Sequence, residues 1–496
     1  MQRYGRWILW TALWLAIALP LARFGQSLWS DEATSVWFAR WPVSQLLTSL
    51  CDPHPPGYYL LLKSWMALGE QEWWLRWFSL AASVLAVALT YRLGRTAWRR
   101  SIGVLAALLL ALHPLQTWYA AEARMYTMAE ALGLVAFIFA WSLILDLNRK
   151  EGQFHRQIGL ALAYGLATII ALGVDYTAIF PIILVQMVWL AKGHPRAKVW
   201  LGLQAGVLIL AYLIWLGDAH RSALATSFQA FTLAVQVNRL GFDITPADAT
   251  SMLRSGGILF IALGFILAWQ WPKRLRGLVR SNWFLSLIVL FWVGMLLFTA
   301  VPRLYSFKRQ LIAILPYITL AVAYALARLP RSVKILSLTA AAAVTLLVLP
   351  MHQRESWRQL LTDLSENEKP GVVWVDEWAV TPVDYYSRRL SEEGGAQLDW
   401  HPLLSRELPQ LPAAQAQPDG SLWLIMAEGP YRNLSELLPP AFYAQYQLME
   451  TQQEPGIGIY HYQRRQSPLD PAPVLPAPSR TTLWSLESAF PLDACP

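Results

Sequence analysis

Residues 126–145 read YTMAEALGLVAFIFAWSLIL, twenty positions that carry one charged side chain, Glu130. A helix of that length spans about 30 Å, the thickness of the hydrocarbon core of a bilayer. The run therefore predicts a membrane-spanning helix over about 127–145. Glu130 falls about a turn inside it. A carboxylate there is costly unless it is paired or lines a wet cavity. Pairing with Arg124 satisfies that constraint as well as a functional cavity does. On this helix Glu122, Tyr126 and Glu130 are spaced by four, so they are expected to share one face.

Working outward from this run, similar apolar stretches fill most of the first 350 positions. They predict about eleven spans, near residues 7–24, 77–93, 101–118, 127–145, 158–173, 176–191, 199–216, 255–271, 282–300, 311–327 and 335–350. Composition agrees: of 496 residues 55% are hydrophobic and 15% charged, against about 25% charged in a soluble chain. Basic residues gather in alternate loops, at Arg92 to Arg100, Arg149 to Arg156, Lys192 to Lys198, Lys273 to Arg280 and Arg328 to Lys334. The positive-inside rule makes these loops cytoplasmic. The N-terminus is then cytoplasmic and, after an odd number of spans, the C-terminal region is extracytoplasmic. The net charge of +8 is an orientation signal and argues against a nucleic-acid partner. Cys51 and Cys495 both fall on the outer side, where a disulfide is one open arrangement.

The expected organisation is a transmembrane domain over 1–350 with an interfacial first outer loop at 25–76. A small extracytoplasmic α/β domain follows over 351–465, then a proline-rich tail over 466–496. The outer loop is rich in Trp29, Trp37, Trp41, Trp65, Trp73 and Trp74, which predicts helices lying at headgroup depth. A second outer segment, 217–254, is polar enough to act as a lid. In the C-terminal domain, strands are predicted at Val372–Val375, Leu422–Met426 and Ile457–Tyr462. Helices are predicted at Trp357–Leu364 and Asn433–Leu448.

Polar groups collect on the outer side. Asp31 and Glu32 follow the first span, where helix capping is a sufficient explanation for acids in a first turn. Asp52 and His54 lie among prolines that stiffen the backbone, although a simple break between two interfacial helices needs the same prolines. Glu122, Arg124 and Tyr126 precede the fourth span, and Asp175 sits in the turn after the fifth. Arg303 and Arg309, with Lys308, place cations against the positive-inside trend, which calls for an anionic partner. Together they predict an outward-opening cavity with acids for proton transfer and cations for an anion.

Three motifs, Trp29-Ser30-Asp31-Glu32-Ala33, His54-Pro55-Pro56-Gly57-Tyr58-Tyr59-Leu60 and Glu122-Ala123-Arg124-Met125-Tyr126, resemble those of C-type-fold membrane glycosyltransferases related to protein O-mannosyltransferases and lipid A aminoarabinose transferases. The resemblance runs from the first helix to about Pro316, and the C-terminal domain is similar to the appended domain of bacterial members. It implies an inner-membrane enzyme of the cell envelope that moves a sugar from a polyprenyl-phosphate-linked donor to an acceptor hydroxyl of a protein, glycolipid or polysaccharide, with inversion. Asp31 matches the family's catalytic acidic position and would serve as general base for the acceptor hydroxyl, and Glu32 would assist it or position the acceptor. Asp52, His54, Tyr58, Glu122, Arg124, Tyr126, Asp175, Arg303 and Arg309 would bind substrate, Arg124 foremost at the lipid phosphate. A monophosphate donor needs no obligate metal, while Asp52, His54 and Asp175 leave room for a divalent ion. The chain departs from its relatives at Asp175-Tyr176, which leaves the role of that turn open, and at His54, with Asp52 two positions earlier, which weakens lipid A as the acceptor. A transporter or flippase of lipid-linked sugars, or a non-catalytic polyprenyl-lipid-binding scaffold, would share the helices and the buried charge, but the long interfacial loop favours the transferase.

Overall fold

The computed structural model describes residues 2–50, 52, 54–147, 154–192, 197–215, 311–348, 355–368, 372–377, 379–394, 398–403, 420–427, 438, 440–454 and 457–465. The expected lid at 217–254, the spans at 255–271 and 282–300, Arg303, Lys308, Arg309, both cysteines and the tail at 466–496 lie outside these residues. By packing the chain forms two units, Met1–Phe24 with Pro42–Met351, and Gly25–Trp41 with His352–Pro496.

The first unit is helical. Its elements are α1 (Gln2–Leu21), then, after α2 of the other unit (Ser30–Arg40), α3 (Val43–Thr48), α4 (Gly57–Met66), α5 (Glu72–Ala97), α6 (Arg100–Ala111), α7 (Pro114–Ala120), α8 (Tyr126–Leu147), α9 (Phe154–Val174), α10 (Ile179–Lys192), α11 (Ala197–Trp215), α12 (Leu315–Leu326) and α13 (Arg331–Val348). Among the described residues α5, α8 and α9 are long and apolar enough to cross a membrane, and α6 with α7 makes a fourth candidate bent by 63°. Shorter apolar stretches occupy Arg6–Leu21, Tyr176–Gln186, Val199–Trp215 and Ile312–Leu326.

The span expected at 101–118 is thus two helices. Pro114 lacks the N–H that would continue α6 and instead opens α7 at its tolerated first position, while the His113 side chain accepts from Leu115 N at 3.2 Å. Glu122 also lies outside α8, because Arg124 N donates to the Glu122 carbonyl at 2.8 Å and turns the chain there. Of the trio expected on one face, only Tyr126 and Glu130 share the helix. The core of this unit is built from alanine, branched aliphatic and aromatic side chains contributed by α5, α6, α8 to α11 and α12, with Phe137 and Tyr317 ring centroids 4.9 Å apart. Two of the loop tryptophans pair with each other: Trp65 and Trp74 stack at 4.5 Å, and each indole N–H donates to the other residue's carbonyl.

The second unit contains α2, α14 (Trp357–Asp363), β1 (Val372–Asp376), α15 (Val380–Glu392), β2 (Asp399–Leu403), β3 (Ser421–Ala427), α16 (Pro440–Gln445), β4 (Tyr446–Glu454) and β5 (Ile457–Arg464). The sheet order is β2-β1-β3-β5-β4. β1 runs parallel to β2 and β3, while β5 is antiparallel to β3 and β4. Val373 and Val375 of β1 are buried, as the period of two requires for one face of a strand. The helix expected over 433–448 ends at Gln445, and Tyr446–Leu448 begins β4 instead. Pairing with β5 across Leu448↔Tyr462 wins there over local helical pattern.

Candidate active site

In the first unit the prolines deliver the segment after Asp52 onto the end of α9. Gly57 opens α4 directly against Gly173: a Cβ at residue 57 would lie 2.6 Å from the Gly173 carbonyl carbon and closer still to its oxygen. That close approach brings His54 Nδ1 to 3.6 Å from Asp175 Oδ2. The two carboxylates are both buried, Asp52 at 1% and Asp175 at 2% exposure. Asp52 Oδ1 accepts from His54 N at 2.6 Å, and Asp175 Oδ1 accepts from Thr177 N at 2.6 Å, capping the 3-10 turn Tyr176–Ala178. Each acid thus orders its own backbone turn. Burial pushes the Asp175 carboxyl above the usual carboxylate range, against the Thr177 hydrogen bonds and the positive charge of Arg124.

Arg124 sits in the turn before α8. Ser79 Oγ of α5 donates to its carbonyl at 3.0 Å, and Thr127 Oγ1 donates to Ser79 O at 2.9 Å, so α5 and the start of α8 hold this turn between them. Its guanidinium is buried, lies 5.9 Å from the Tyr126 ring centroid, and acts electrostatically on both Asp175 and Tyr59. Tyr126 in turn meets His54 edge-on at 6.4 Å. The first unit therefore brings together Asp52, His54, Arg124, Tyr126 and Asp175. Tyr58 is buried against Phe78. Its neighbour Tyr59 is the phenol beside Asp52, and burial followed by that negative charge raises its pKa. Sequence reading had no means to choose between adjacent tyrosines at a helix start.

Glu122 accepts from Trp118 Nε1, and the Trp118 ring carries the Arg23 guanidinium 3.7 Å from its centroid. Arg23 and Arg76, which donates to Phe24 O at 2.9 Å, are buried cations that the sequence reading passed over. Glu130 accepts from Gln116 Nε2 at 2.8 Å, and Gln116 also reaches Ser83 Oγ. Pairing of Glu130 with Arg124 is replaced by this amide contact. Among the described residues no group of three or more His, Cys, Asp and Glu is arranged to hold a metal ion.

In the second unit α2 begins at Ser30 with Trp29 as its N-cap, so Asp31 and Glu32 fall in its first turn, where the helix dipole favours them. Glu32 is fully buried and its Oε2 accepts from Trp29 N at 3.3 Å. Asp31 is only half-buried, and Ser35 Oγ donates to its carbonyl at 3.1 Å. Glu355, from the segment before α14, accepts from Ser30 and Trp357 through Oε2. Burial raises its pKa, those donors lower it, and nearby Asp31 raises it again.

The resemblance read from the motifs is borne out. The family model described as dolichyl-phosphate-mannose-protein mannosyltransferase matches residues 53–215. The fold matches ArnT from Cupriavidus metallidurans in the apo state at 12% identity and a TM-score of 0.52, over 93% of this chain and 98% of that one. It also matches the oligosaccharyltransferase of Archaeoglobus fulgidus in complex with zinc and sulfate at 14% identity and a TM-score of 0.53, over 93% and 74%. AglB of the same organism, in complex with an inhibitory peptide and a dolichol-phosphate, matches at 12% and 0.50, over 94% and 74%. No curated protein matches the chain. The chain has the C-type glycosyltransferase fold, carried by apolar helices and a small C-terminal sheet.

Proposed function

We propose, from this fold and the motifs upon it, that the chain is a membrane glycosyltransferase that moves a sugar from a polyprenyl-phosphate-linked donor to an acceptor hydroxyl. The observation that carries the reading is the trio of buried charges Asp52, Arg124 and Asp175 gathered about the half-buried His54, a costly collection to keep at the end of an apolar bundle without a ligand to serve. The matched family description and the dolichol-phosphate held by the archaeal neighbour support a lipid phosphate as the carrier.

In this reading Asp31 is the general base. It takes the proton of the acceptor hydroxyl as that oxygen attacks the anomeric carbon from the face opposite the phosphate. The bond between the anomeric carbon and the phosphate oxygen breaks, its electron pair leaves with the polyprenyl phosphate, and the configuration inverts. Negative charge grows on the phosphate during that step, so a preorganised cation stabilises the transition state more than the ground state. Arg124 fills that role, with Arg303 and Arg309 as further cations for the anion. Asp52 and Asp175 order the turns beside His54, and Tyr126 meets that ring edge-on. Tyr58 and Glu122 are further substrate-binding residues, and Glu32 assists Asp31 or positions the acceptor. The reaction proceeds without an obligate metal. The basic loops put the N-terminus in the cytoplasm and the C-terminal domain outside. The test is release of polyprenyl phosphate from a panel of synthetic donors by protein in lipid: Arg124→Ala should retain fold and lose turnover, and wild-type turnover in that variant would remove Arg124 from the chemistry.

A further inference from the structure

The second unit offers an arrangement that the family motifs do not include. Five residues of the segment around α2 are tied to the C-terminal part of the same unit. Ser27 Oγ accepts from Arg358 N at 3.3 Å, Leu28 N donates to the Tyr386 hydroxyl at 2.6 Å, and Thr34 Oγ1 lies 2.9 Å from Thr381 Oγ1. Arg40 Nη1 donates to Asp384 Oδ2 at 3.1 Å, and Asp384 Oδ1 accepts from Arg388 as well. The fifth tie is the most concentrated: Glu355 Oε2 accepts from Ser30 N at 3.0 Å and from Ser30 Oγ at 2.6 Å, with Trp357 Nε1 as a third donor on the same oxygen.

The placement of that grip matters. Ser30 immediately precedes Asp31, and consecutive Cα atoms are about 3.8 Å apart. The N–H of Ser30 is one of the donors that a helix leaves unsatisfied at its start, and Glu355 supplies its acceptor from 325 residues away in sequence. Hydrogen bonds to an ionised acceptor are shorter and stronger than neutral ones. Holding both the main chain and the side chain of one residue fixes the direction in which α2 leaves it. The bonds at Ser27, Leu28, Thr34 and Arg40 hold the segment on either side of the first turn but none of them grips the residue next to Asp31. Glu355 supplies that grip.

We infer that Glu355 is a positioning residue for Asp31, through which the C-terminal domain sets the orientation of the carboxylate that takes the acceptor proton. The inference rests on the reading of Asp31 as base. Full-length protein in lipid is assayed with synthetic polyprenyl-phosphate sugar as Glu355→Ala, Glu355→Gln, Ser30→Ala and Asp31→Asn, with hydrogen exchange followed at the amides of residues 28–34. Misplacement of a reacting group by about 1 Å can cost about 10²-fold in rate, so Glu355→Ala should lower kcat on that order with donor KM unchanged. Glu355→Gln, which keeps an acceptor oxygen, should recover most of the loss. Ser30→Ala should cost roughly tenfold, and adding it to Glu355→Ala should cost little more. Exchange at 28–34 should quicken in Glu355→Ala. Wild-type kcat, a loss expressed only in KM, no rescue by Gln, or unchanged exchange would each overturn the inference. If Glu355→Ala does not fold, Ser30→Ala carries the same test. An active Asp31→Asn would instead sink the base reading, with the exchange result still deciding whether Glu355 holds the turn.

Discussion

Replacing Gly57 by Ala probes the contact that assembles the first-unit site. The added Cβ would sit 2.6 Å from the Gly173 carbonyl carbon, and ordinary van der Waals contact begins at 3.4 Å, so the start of α4 and the end of α9 must part by 0.8 Å or more. Both obstacles are backbone and neither can swing aside. Gly173 has no room to retreat either, because the Trp215 ring covers it and a Cβ there would fall 2.6 Å from the indole nitrogen. The displacement falls on the His54 to Asp175 approach, now 3.6 Å, and would open it beyond the roughly 4 Å reach of an ion pair. Overpacking of this kind costs about 1–3 kcal/mol, and a shift near 1 Å in a site costs about 10²-fold in rate. The assay is turnover at saturating donor together with thermal unfolding in detergent. Gly202→Ala serves as control, since nothing lies within 4 Å of its added Cβ. A Gly57→Ala protein with wild-type turnover and unchanged unfolding would refute the claim that this backbone contact builds the site.

Stability should fall as pH rises through the raised pKa of Asp175. A carboxyl whose folded pKa lies above its unfolded value favours the folded state fully below the unfolded pKa and loses that advantage through the folded one. Asp175→Asn should flatten the unfolding-against-pH curve above the ordinary carboxylate range, and an unchanged slope would count against burial as the cause. Arg124→Ala should lower kcat by about 10²–10³-fold, the usual cost of removing a donor from a developing oxyanion, as read by release of polyprenyl phosphate. Arg40→Ala, which removes one of the two guanidinium donors to the buried Asp384, should cost about 1.5–3 kcal/mol, measured by denaturant unfolding. Chelation by EDTA should leave turnover intact, and loss restored by a divalent ion would assign one to the site.

The apolar runs were readable because a bilayer demands a minimum length of them, and α5, α8 and α9 answer to that demand. The break at His113 and Pro114 was visible as a polar residue before a proline, but the hydropathy of its flanks hid it. β1 was readable from its valines, whereas β4 was not: Tyr446–Glu454 is a polar edge strand, and its partner rather than its composition makes it a strand. Asp52, His54, Arg124 and Asp175 could be picked out as polar groups near apolar runs. What brings them together, Gly57 on Gly173, is a contact between backbones 116 positions apart, which no local pattern encodes. Glu355 lies beyond any motif for the same reason, since its meaning depends on Ser30. Cations buried by neighbours, such as Arg76 and Arg23, look in sequence like ordinary flanking charges.

The central claim is that Asp31 takes the acceptor proton during sugar transfer. Its most direct test sets wild type and Asp31→Asn side by side in lipid, with a panel of polyprenyl-phosphate sugars, and measures donor binding and carrier release in both. The account predicts binding by both and release by wild type alone. Equal release by the two proteins would contradict it.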